Sequence, residues 1–303
     1  MKKHFSTIFA VAVILFGVGI FFYPNISNWY MQKHQGGVIQ EYNKQTEEMP
    51  KEEIKEIKKE VRAYNDNLVN NRTILTDPFD EEAWNTLSSS YEDLLNVNGV
   101  MAYIEIPKIK VSLPIYHGVD EGILQIATGH IAGTSLPVGG KSSHCVISGH
   151  RGLPSARLFT DLDKMTKGDV FMVHVLDKTL TYEVDQIRVV LPDNISDLKI
   201  EDGQDLFTLV TCTPYGVNTH RLLVRGHRIA NIDSPSEAAD AVRVDTLVVA
   251  SVIAIPVLVM LMGFIQRTSK TLATASERFL ARAPCSAGRW MAAGTLSWAS
   301  GFP

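Results

Sequence analysis

The chain has 303 residues, enough for one or two domains with a core that folds without disulfide bonds. Its net charge of −4 comes without a basic stripe, which excludes a nucleic-acid-binding surface built on clustered Lys and Arg. The mean hydropathy of +0.03 is high for a soluble protein. Two apolar segments, one near each end of the chain, account for this excess.

The first apolar segment covers residues 5–23 and follows Lys2 and Lys3. A basic start followed by an apolar run is typical both of a signal peptide and of a retained anchor. No small-residue cleavage site of the A-x-A type follows the segment. We therefore predict an uncleaved transmembrane anchor over 5–23, with residues 1–4 forming a cytoplasmic N-terminus.

The second apolar segment, within 245–265, is long enough to cross a bilayer as a helix. Arg267 and Lys270 follow it, so the basic flanks of both segments fall on the same side, as the positive-inside rule requires. The sequence thus predicts a two-pass membrane protein whose intervening domain is extracytoplasmic. A linker over 231–244 precedes the second span, and a cytoplasmic tail over 266–303, with no assigned role, follows it.

Residues 24–99 are patterned as helices. An amphipathic stripe with three- and four-residue spacings is formed by Ile54, Ile57, Val61, Tyr64 and Leu68. The tripeptide Asp77-Pro78-Phe79 interrupts this pattern, because proline disfavours helical backbone at the residue before it. A turn or loop between two helical stretches is therefore predicted at this point.

Residues 100–230 consist of short β-rich runs separated by Gly and Pro. The predicted strands are Met101–Ile106, Cys145–Ser148, Val170–Val175, Thr179–Val190, Leu206–Cys212 and Arg221–Ile229. A hairpin is predicted at Asp177-Lys178. Two brief helical interludes are predicted, over Gly122–Thr128 and Ala156–Asp161. Many short strands with few helices indicate a mainly β domain, either a barrel or a sandwich.

Three cysteines, Cys145, Cys212 and Cys285, leave no even pairing, so no disulfide framework is predicted. Cys285 falls in the predicted cytoplasmic tail, and Cys145 lies in an apolar run typical of a buried strand. An unpaired cysteine in an exported domain is a candidate nucleophile, although a buried free cysteine is also common. Cys212, at the C-terminal end of a β run, is the candidate that the sequence favours.

A hairpin between the last two predicted strands brings Cys212 and Arg221 to the same end of the sheet. Attack of a thiol on a carbonyl requires a proton acceptor, an oxyanion stabiliser and an acid for the leaving group. Arginine supplies the second function with permanently charged donors, and histidine is the usual side chain for the other two. Spacing alone leaves several histidines open for this role, namely His130, His144, His150, His220 and His227.

Several segments of the domain resemble the sortase family. Thr208-Leu209-Val210-Thr211-Cys212 matches the TLxTC signature, and Arg221 follows at the family's spacing. Ser148-Gly149-His150-Arg151 resembles the family's histidine motif, and Gly129–Pro137 resembles the region upstream of it. The resemblance covers roughly 100–229. It implies an eight-stranded sortase-type β-barrel that uses no cofactor, with Cys212, His150 and Arg221 as its catalytic residues.

Three further features resemble the pilus-building class C sortases. They are the Asp77-Pro78-Phe79 tripeptide, which matches the lid of that class, the helical N-terminal extension and the second membrane span. The class implies that Cys212 cleaves an LPxTG-like sorting signal between Thr and Gly through a thioester. A lysine of another pilin subunit then resolves the thioester as an isopeptide bond. The implied partners are therefore pilin subunits, and the sequence contains no spacing typical of a metal site.

Two alternatives remain open on the sequence. One is a housekeeping-type sortase that anchors surface proteins to cell-wall peptide. The other is a non-catalytic scaffold in which Cys212 is simply buried. Cys145 is interpreted as a small core residue, His174 is predicted to point to solvent, and the remaining histidines are interpreted as surface or structural residues.

Overall fold

A computed structural model describes residues 2–71, 91–231 and Gly263. The chain divides into two units, residues 1–248 and 249–303, and all the elements described below lie in the first. The predicted lid residues Asp77, Pro78 and Phe79 lie outside the described residues. So do the linker after residue 231, the predicted second span apart from Gly263, and the tail.

Two long helices and one short helix are described: α1 (Lys2–Glu48), α2 (Lys51–Asn71) and α3 (Glu121–Leu124). Most apolar side chains of α1 from Val13 to Tyr23 are exposed, and within the described residues α1 is the one helix long and apolar enough to cross a membrane. The predicted stripe on α2 is confirmed, since Ile54, Val61 and Leu68 are buried. The helical pattern of the extension therefore forms helices up to Asn71, whereas the described residues 91–99 form turns and not a helix.

Eight strands form a closed barrel with the order β1-β2-β3-β4-β7-β8-β6-β5. Closure pairs every strand on both sides and leaves no exposed sheet edge. The predicted eight-stranded barrel is thereby confirmed. The strands are β1 (Val100–Ile106), β2 (Val111–His117), β3 (Thr128–His130), β4 (Ser143–Ser148), β5 (Val170–Val175), β6 (Lys178–Val190), β7 (Asp205–Thr213) and β8 (His220–Ile229).

Two strands, β2 and β3, are absent from the sequence prediction. Pro114 lies inside β2, and a proline within a β run argues against a strand. Strand β3 has only three residues, too few to show an alternating pattern. His130 is the last residue of this strand. Short strands of this kind are recognisable only from the neighbours with which they pair.

The predicted helical interludes are largely wrong. Only Glu121–Leu124 is helical in the first, and Ala156–Asp161 forms turns. The backbone N–H of Phe159 donates to the carbonyl of His150 at 3.1 Å, so this segment folds back on the end of β4. A contact with a distant part of the chain overrides the local helical preference here.

The C-terminal half of α1 is attached to the barrel through Tyr42. Its hydroxyl donates to the carbonyl of Met101 at 3.0 Å and accepts from the backbone N–H of Leu176 at 2.9 Å. The ring also makes an edge-to-face contact with Tyr103, with the centroids 6.0 Å apart. Burial raises the pKa of the Tyr42 hydroxyl, which stays protonated and satisfied inside this junction.

The interior of the barrel is packed by aromatic rings. Phe171 stacks on Tyr182 at 5.5 Å and meets Phe207 at 5.7 Å between centroids. Cys145 is buried in the same core, and this burial raises the pKa of its thiol well above the ordinary value. Cys145 therefore behaves as a small apolar core residue, in agreement with the interpretation from sequence.

His130 is fully buried in a hydrogen-bonded network. Its Nε2 lies 3.0 Å from the carbonyl oxygen of Ser135, and its Nδ1 lies 2.7 Å from the hydroxyl of Tyr91. An N–H at Nε2 therefore donates to the carbonyl, and Nδ1 accepts from the tyrosine. Burial lowers the pKa of His130 to about 3 and also lowers that of His144.

This network predicts acid sensitivity. An unfolded histidine takes up a proton below about pH 6.5, whereas folded His130 stays neutral down to a pKa of about 3. The unfolded state thus binds more protons, and the free energy of unfolding falls as the pH drops from 6.5 towards 3. The His130→Gln substitution lowers the free energy of unfolding, and this loss is expected to be about 2 kcal/mol smaller at pH 5 than at pH 7.

Urea unfolding of the full chain in detergent micelles, carried out at both pH values, measures this difference. His227, which is partly exposed on β8, provides the matched control in a His227→Gln variant. An equal destabilisation of His130→Gln at the two pH values would contradict the assignment of a neutral buried imidazole.

Candidate active site

Cys212 and Arg221 lie opposite each other on neighbouring strands. Strand β7 pairs with β8 in an antiparallel register in which the two residues are direct partners. Directly opposite residues place their side chains on the same face, with Cβ atoms about 4.5–5.5 Å apart. The expectation that a hairpin brings the thiol and the guanidinium together is met.

His150 reaches the same end of the sheet from the other neighbour of β7. Strand β4 runs parallel to β7, with Ser148 paired to Val210. Beyond that pair, the N–H of Gly149 donates to the Val210 carbonyl at 3.1 Å, and the Thr211 hydroxyl donates to the Gly149 carbonyl at 2.7 Å. His150 follows the Ser148–Val210 pair by two residues on one chain segment, as Cys212 does on the other.

Cys212 therefore lies on the central strand of three, with His150 and Arg221 on its two flanks. All three side chains are partly exposed at the rim of the barrel, and 26% of the His150 side chain is accessible. The two cysteines of the barrel differ in this respect, because Cys145 is buried. Of these two, Cys212 is the one that a substrate can reach.

The imidazole of His150 also has a carboxylate partner. Its Nε2 lies 3.3 Å from the carboxylate of Glu121, which stands at the first position of α3 with 68% of its side chain exposed. Hydrogen bonds from Gln125 and then from His150 lower the pKa of Glu121. The carboxylate is thus ionised at neutral pH and accepts from the imidazole N–H. Sequence reasoning missed Glu121, since only the tertiary fold brings α3 beside β4.

Arg151, next to His150, joins the ends of β4 and β7. Its guanidinium contacts Asp163 at 2.5 Å and donates to the Thr213 hydroxyl at 3.3 Å, and only 9% of the side chain is exposed. The guanidinium carbon also lies 6.0 Å from the ring centroid of Tyr215. This residue fixes the two strand ends against each other, a role for which the sequence carried no separate signal.

Glycine at position 149 is required by packing behind the site. A Cβ placed there would lie 2.7 Å from a ring carbon of Phe159, which is fully buried. The ring thus packs directly on the backbone that precedes His150. This contact explains the residue order Ser-Gly-His at the end of β4.

The other histidines have structural environments. His130 and His144 are buried, and His144 bonds to Thr208 at 2.7 Å and to the carbonyl of Lys199 at 2.8 Å. His174 stacks on Tyr103 with the ring centroids 4.4 Å apart, and it is partly exposed between buried Val173 and Val175, which agrees with its predicted position on the solvent side of β5. His150 directly follows the strand that pairs with β7, the strand that carries Cys212.

A cavity of about 770 Å³ lies between α1 and the start of the barrel, and it is separate from these residues. Trp29, Tyr42 and Tyr116 are among the residues that line it, and Cys212 is not. Within the described ranges, no group of three or more His, Cys, Asp or Glu side chains is arranged to hold a metal ion.

Comparisons with known proteins agree with this geometry. A family model described as a sortase domain matches residues 104–229. Sortase D of Bacillus subtilis is 29% identical over 129 residues, which cover 42% of this chain and 62% of that protein. The chain thus spans less than two thirds of the length of this curated relative.

Two solved structures are similar over nearly their whole length. Sortase C-1 of Streptococcus pneumoniae is 45% identical with a TM-score of 0.60, and the match covers 65% of this chain and 100% of that one. Sortase C1 of GBS pilus island 1 is 41% identical with a TM-score of 0.60, and the match covers 66% of this chain and 94% of that one. The similarity therefore includes much of the helical extension as well as the barrel.

Proposed function

The chain belongs to the sortase family, and from this premise we propose that it is a cysteine transpeptidase whose nucleophile is Cys212. The observation that supports the proposal is the order of β4, β7 and β8, in which Arg221 pairs with Cys212 and β4, the strand that precedes His150, is the other neighbour of β7. The three groups match the requirements of thiol-based acyl transfer.

The first step of the proposed reaction forms a thioester. The Sγ of Cys212 attacks the threonine carbonyl of an LPxTG-like signal, and the carbonyl oxygen becomes an oxyanion. Arg221 donates to that oxyanion with a planar, permanently charged group, which stabilises the transition state. Protonated His150 gives its proton to the departing glycine amine as the Thr–Gly bond breaks. The carboxylate of Glu121 holds the imidazole by accepting from its N–H.

The second step transfers the acyl group. A neutral lysine amine of another subunit attacks the thioester carbonyl, and His150 accepts the proton that the amine loses. The S–C bond then breaks, Cys212 is released, and an isopeptide bond joins the two subunits. No redox change or cofactor enters either step.

Three features support a pilus-building role over anchoring to cell-wall peptide. One similar solved structure is the sortase C1 of a pilus island, and the match extends into the helical extension. The Asp77-Pro78-Phe79 tripeptide has the sequence of a class C lid, for which we propose a role in covering Cys212 until substrate enters. We further propose that the barrel is extracytoplasmic, held by the apolar segment of α1 and by a second span over 245–265.

Co-expression with a candidate pilin that carries an LPxTG-like signal tests this function. A ladder of covalent pilin multimers that survives boiling in detergent is expected, and it should disappear when the acceptor lysine of the pilin is replaced. Cleavage of the signal without a ladder, with transfer to an added wall-peptide amine, would instead identify the housekeeping reaction. Failure of both reactions would favour the non-catalytic scaffold.

A further inference from the structure

Helix α1, which contains Pro24, extends from the apolar segment to the barrel. The helix runs from Lys2 to Glu48, and the apolar segment ends at Tyr23. At a rise of about 1.5 Å per residue, Ser27 lies about 6 Å beyond the apolar segment and Tyr42 about 28 Å beyond it. The position along α1 at which a part of the barrel contacts the helix therefore indicates the distance of that part from the end of the apolar segment.

These contacts follow a consistent direction along the barrel. The Ser27 hydroxyl donates to the carbonyl of Ser155, in the loop that follows His150, at 3.1 Å. Further along the helix, the Gln35 side chain donates to the carbonyl of Ile126, just before β3, at 2.6 Å. Last in order, Tyr42 bonds to Leu176 in the turn between β5 and β6.

That turn lies at the barrel end opposite to Cys212. Strand β6 pairs with β8 from Thr181, opposite Ile229, to Val190, opposite Arg221. The turn precedes the Thr181 end, whereas Arg221 marks the end that carries Cys212. The end with the candidate active site is therefore the one nearer to the apolar segment.

The loop between β7 and β8 exposes apolar side chains at this near end. Tyr215 is 60% exposed and Val217 is 65% exposed. A Cβ on Gly152 would lie 2.9 Å from the Tyr215 ring, so this loop packs against the segment that leads to Ser155 and hence to α1. Exposed aromatic residues also occur on α1 at this level, including Tyr30 at 64% exposure. Tyrosine and tryptophan are typical of membrane–water interfaces, where the ring is apolar and its polar atom is hydrated.

We propose that the barrel end carrying Cys212 faces the lipid bilayer, with the β7–β8 loop resting on its surface. The inference relies on the membrane anchor of the proposed function and adds an orientation to it. The occupant of the apolar loop surface is then the phospholipid headgroup region. The enzyme would accordingly act on acceptor and donor segments that emerge close to the membrane, and not on segments presented far above it.

The orientation is tested with the full chain reconstituted into phosphatidylcholine–phosphatidylglycerol vesicles. Val217→Cys and the control Lys178→Cys, at the start of β6 directly after the turn that follows β5, are each made in a Cys212→Ala, Cys285→Ser background. Both positions are exposed, and the remaining Cys145 is buried. Each introduced thiol carries an environment-sensitive fluorophore, and spin-labelled headgroup lipid serves as the quencher.

Quenching at position 217 is expected to exceed that at position 178 several-fold. Equal quenching at the two positions, or stronger quenching at 178, in protein that floats with the vesicles would overturn the orientation and leave the anchor intact. Protein that fails to float with the vesicles would overturn both the anchor and the orientation. The flotation assay therefore separates failure of the inference from failure of its premise.

Discussion

Replacement of Cys212 by alanine is expected to reduce thioester formation and transpeptidation by about 10³-fold or more, because no other group at the rim supplies a nucleophile in the proposed reaction. The half-exposed position at the end of β7 means that the change removes the thiol without opening a cavity in the core. Mass spectrometry of the protein incubated with an LPxTG peptide measures the acyl-enzyme directly. Release of the glycine-containing fragment gives the rate.

Cys145→Ala is the matched control for this experiment. Cys145 lies in the core of the same barrel, so its replacement is expected to cost about 1 kcal/mol of stability and to leave the acyl-enzyme unchanged. An acyl-enzyme that persists in Cys212→Ala and disappears in Cys145→Ala would refute the assignment of the nucleophile. Thermal unfolding of both variants shows whether a loss of activity reflects a loss of fold.

Replacement of Arg221 by alanine is expected to lower kcat/KM for peptide cleavage by about 10²–10³-fold, the loss typical of removing one oxyanion donor. Arg221 is the direct cross-strand partner of Cys212. Its charge is therefore expected to lie close to the carbonyl that the thiol attacks. Arg221→Lys is expected to recover only part of this loss, since an ammonium group lacks the planar pair of donors. Steady-state cleavage of the peptide, with the thiol content titrated beforehand, measures the effect.

A surface arginine provides the comparison for this second change. Arg188 is on β6, its side chain is 57% exposed, and it forms an ion pair with Asp197. Exposed ion pairs contribute little to stability, so Arg188→Ala should leave the fold intact. The rate of peptide cleavage is therefore expected to stay within about twofold of that of the unsubstituted chain. Activity of Arg221→Ala equal to that of Arg188→Ala would require the oxyanion to be stabilised by another group.

The arrangement behind both predictions rests on strands and their packing. His150 follows the end of β4, Cys212 lies near the end of β7, and Arg221 lies near the start of β8, so backbone hydrogen bonds set their spacing. Arg151 and the ring of Phe159 then hold the segment after β4 against the barrel. Groups held on regular elements keep their geometry better than groups on long loops, which suits a reaction that depends on orientation.

Local patterns in the sequence predicted those elements whose apolar residues repeat with a clear period. Helix α2 follows the three- and four-residue spacing of its buried positions, and β5 and β6 form the predicted hairpin. The β7 and β8 runs, with Cys212 and Arg221 near their facing ends, were recognisable as continuous β-rich apolar runs and not by a period. The resemblance to sortase motifs then selected His150 from five candidates that spacing alone left open.

Three aspects of the protein required the tertiary structure. Strands β2 and β3 contain a proline or too few residues to show a period, and their pairing with neighbours defines them. The parallel pairing of β4 with β7 joins residues about 60 positions apart, so no local pattern determines that the strand before His150 is the neighbour of the strand that carries Cys212. Glu121 and Arg151 likewise acquire their contacts only when distant segments meet.

The sequence by itself therefore determined the class of fold, the nucleophile candidate and its neighbour across the β7–β8 hairpin, because those depend on periodicity and short-range pairing. The tertiary structure alone decided the closed strand order, the carboxylate beside His150 and the direction in which the site faces along α1. These depend on long-range contacts, whose partners are set by packing of the whole barrel and not by the spacing of residues within one segment.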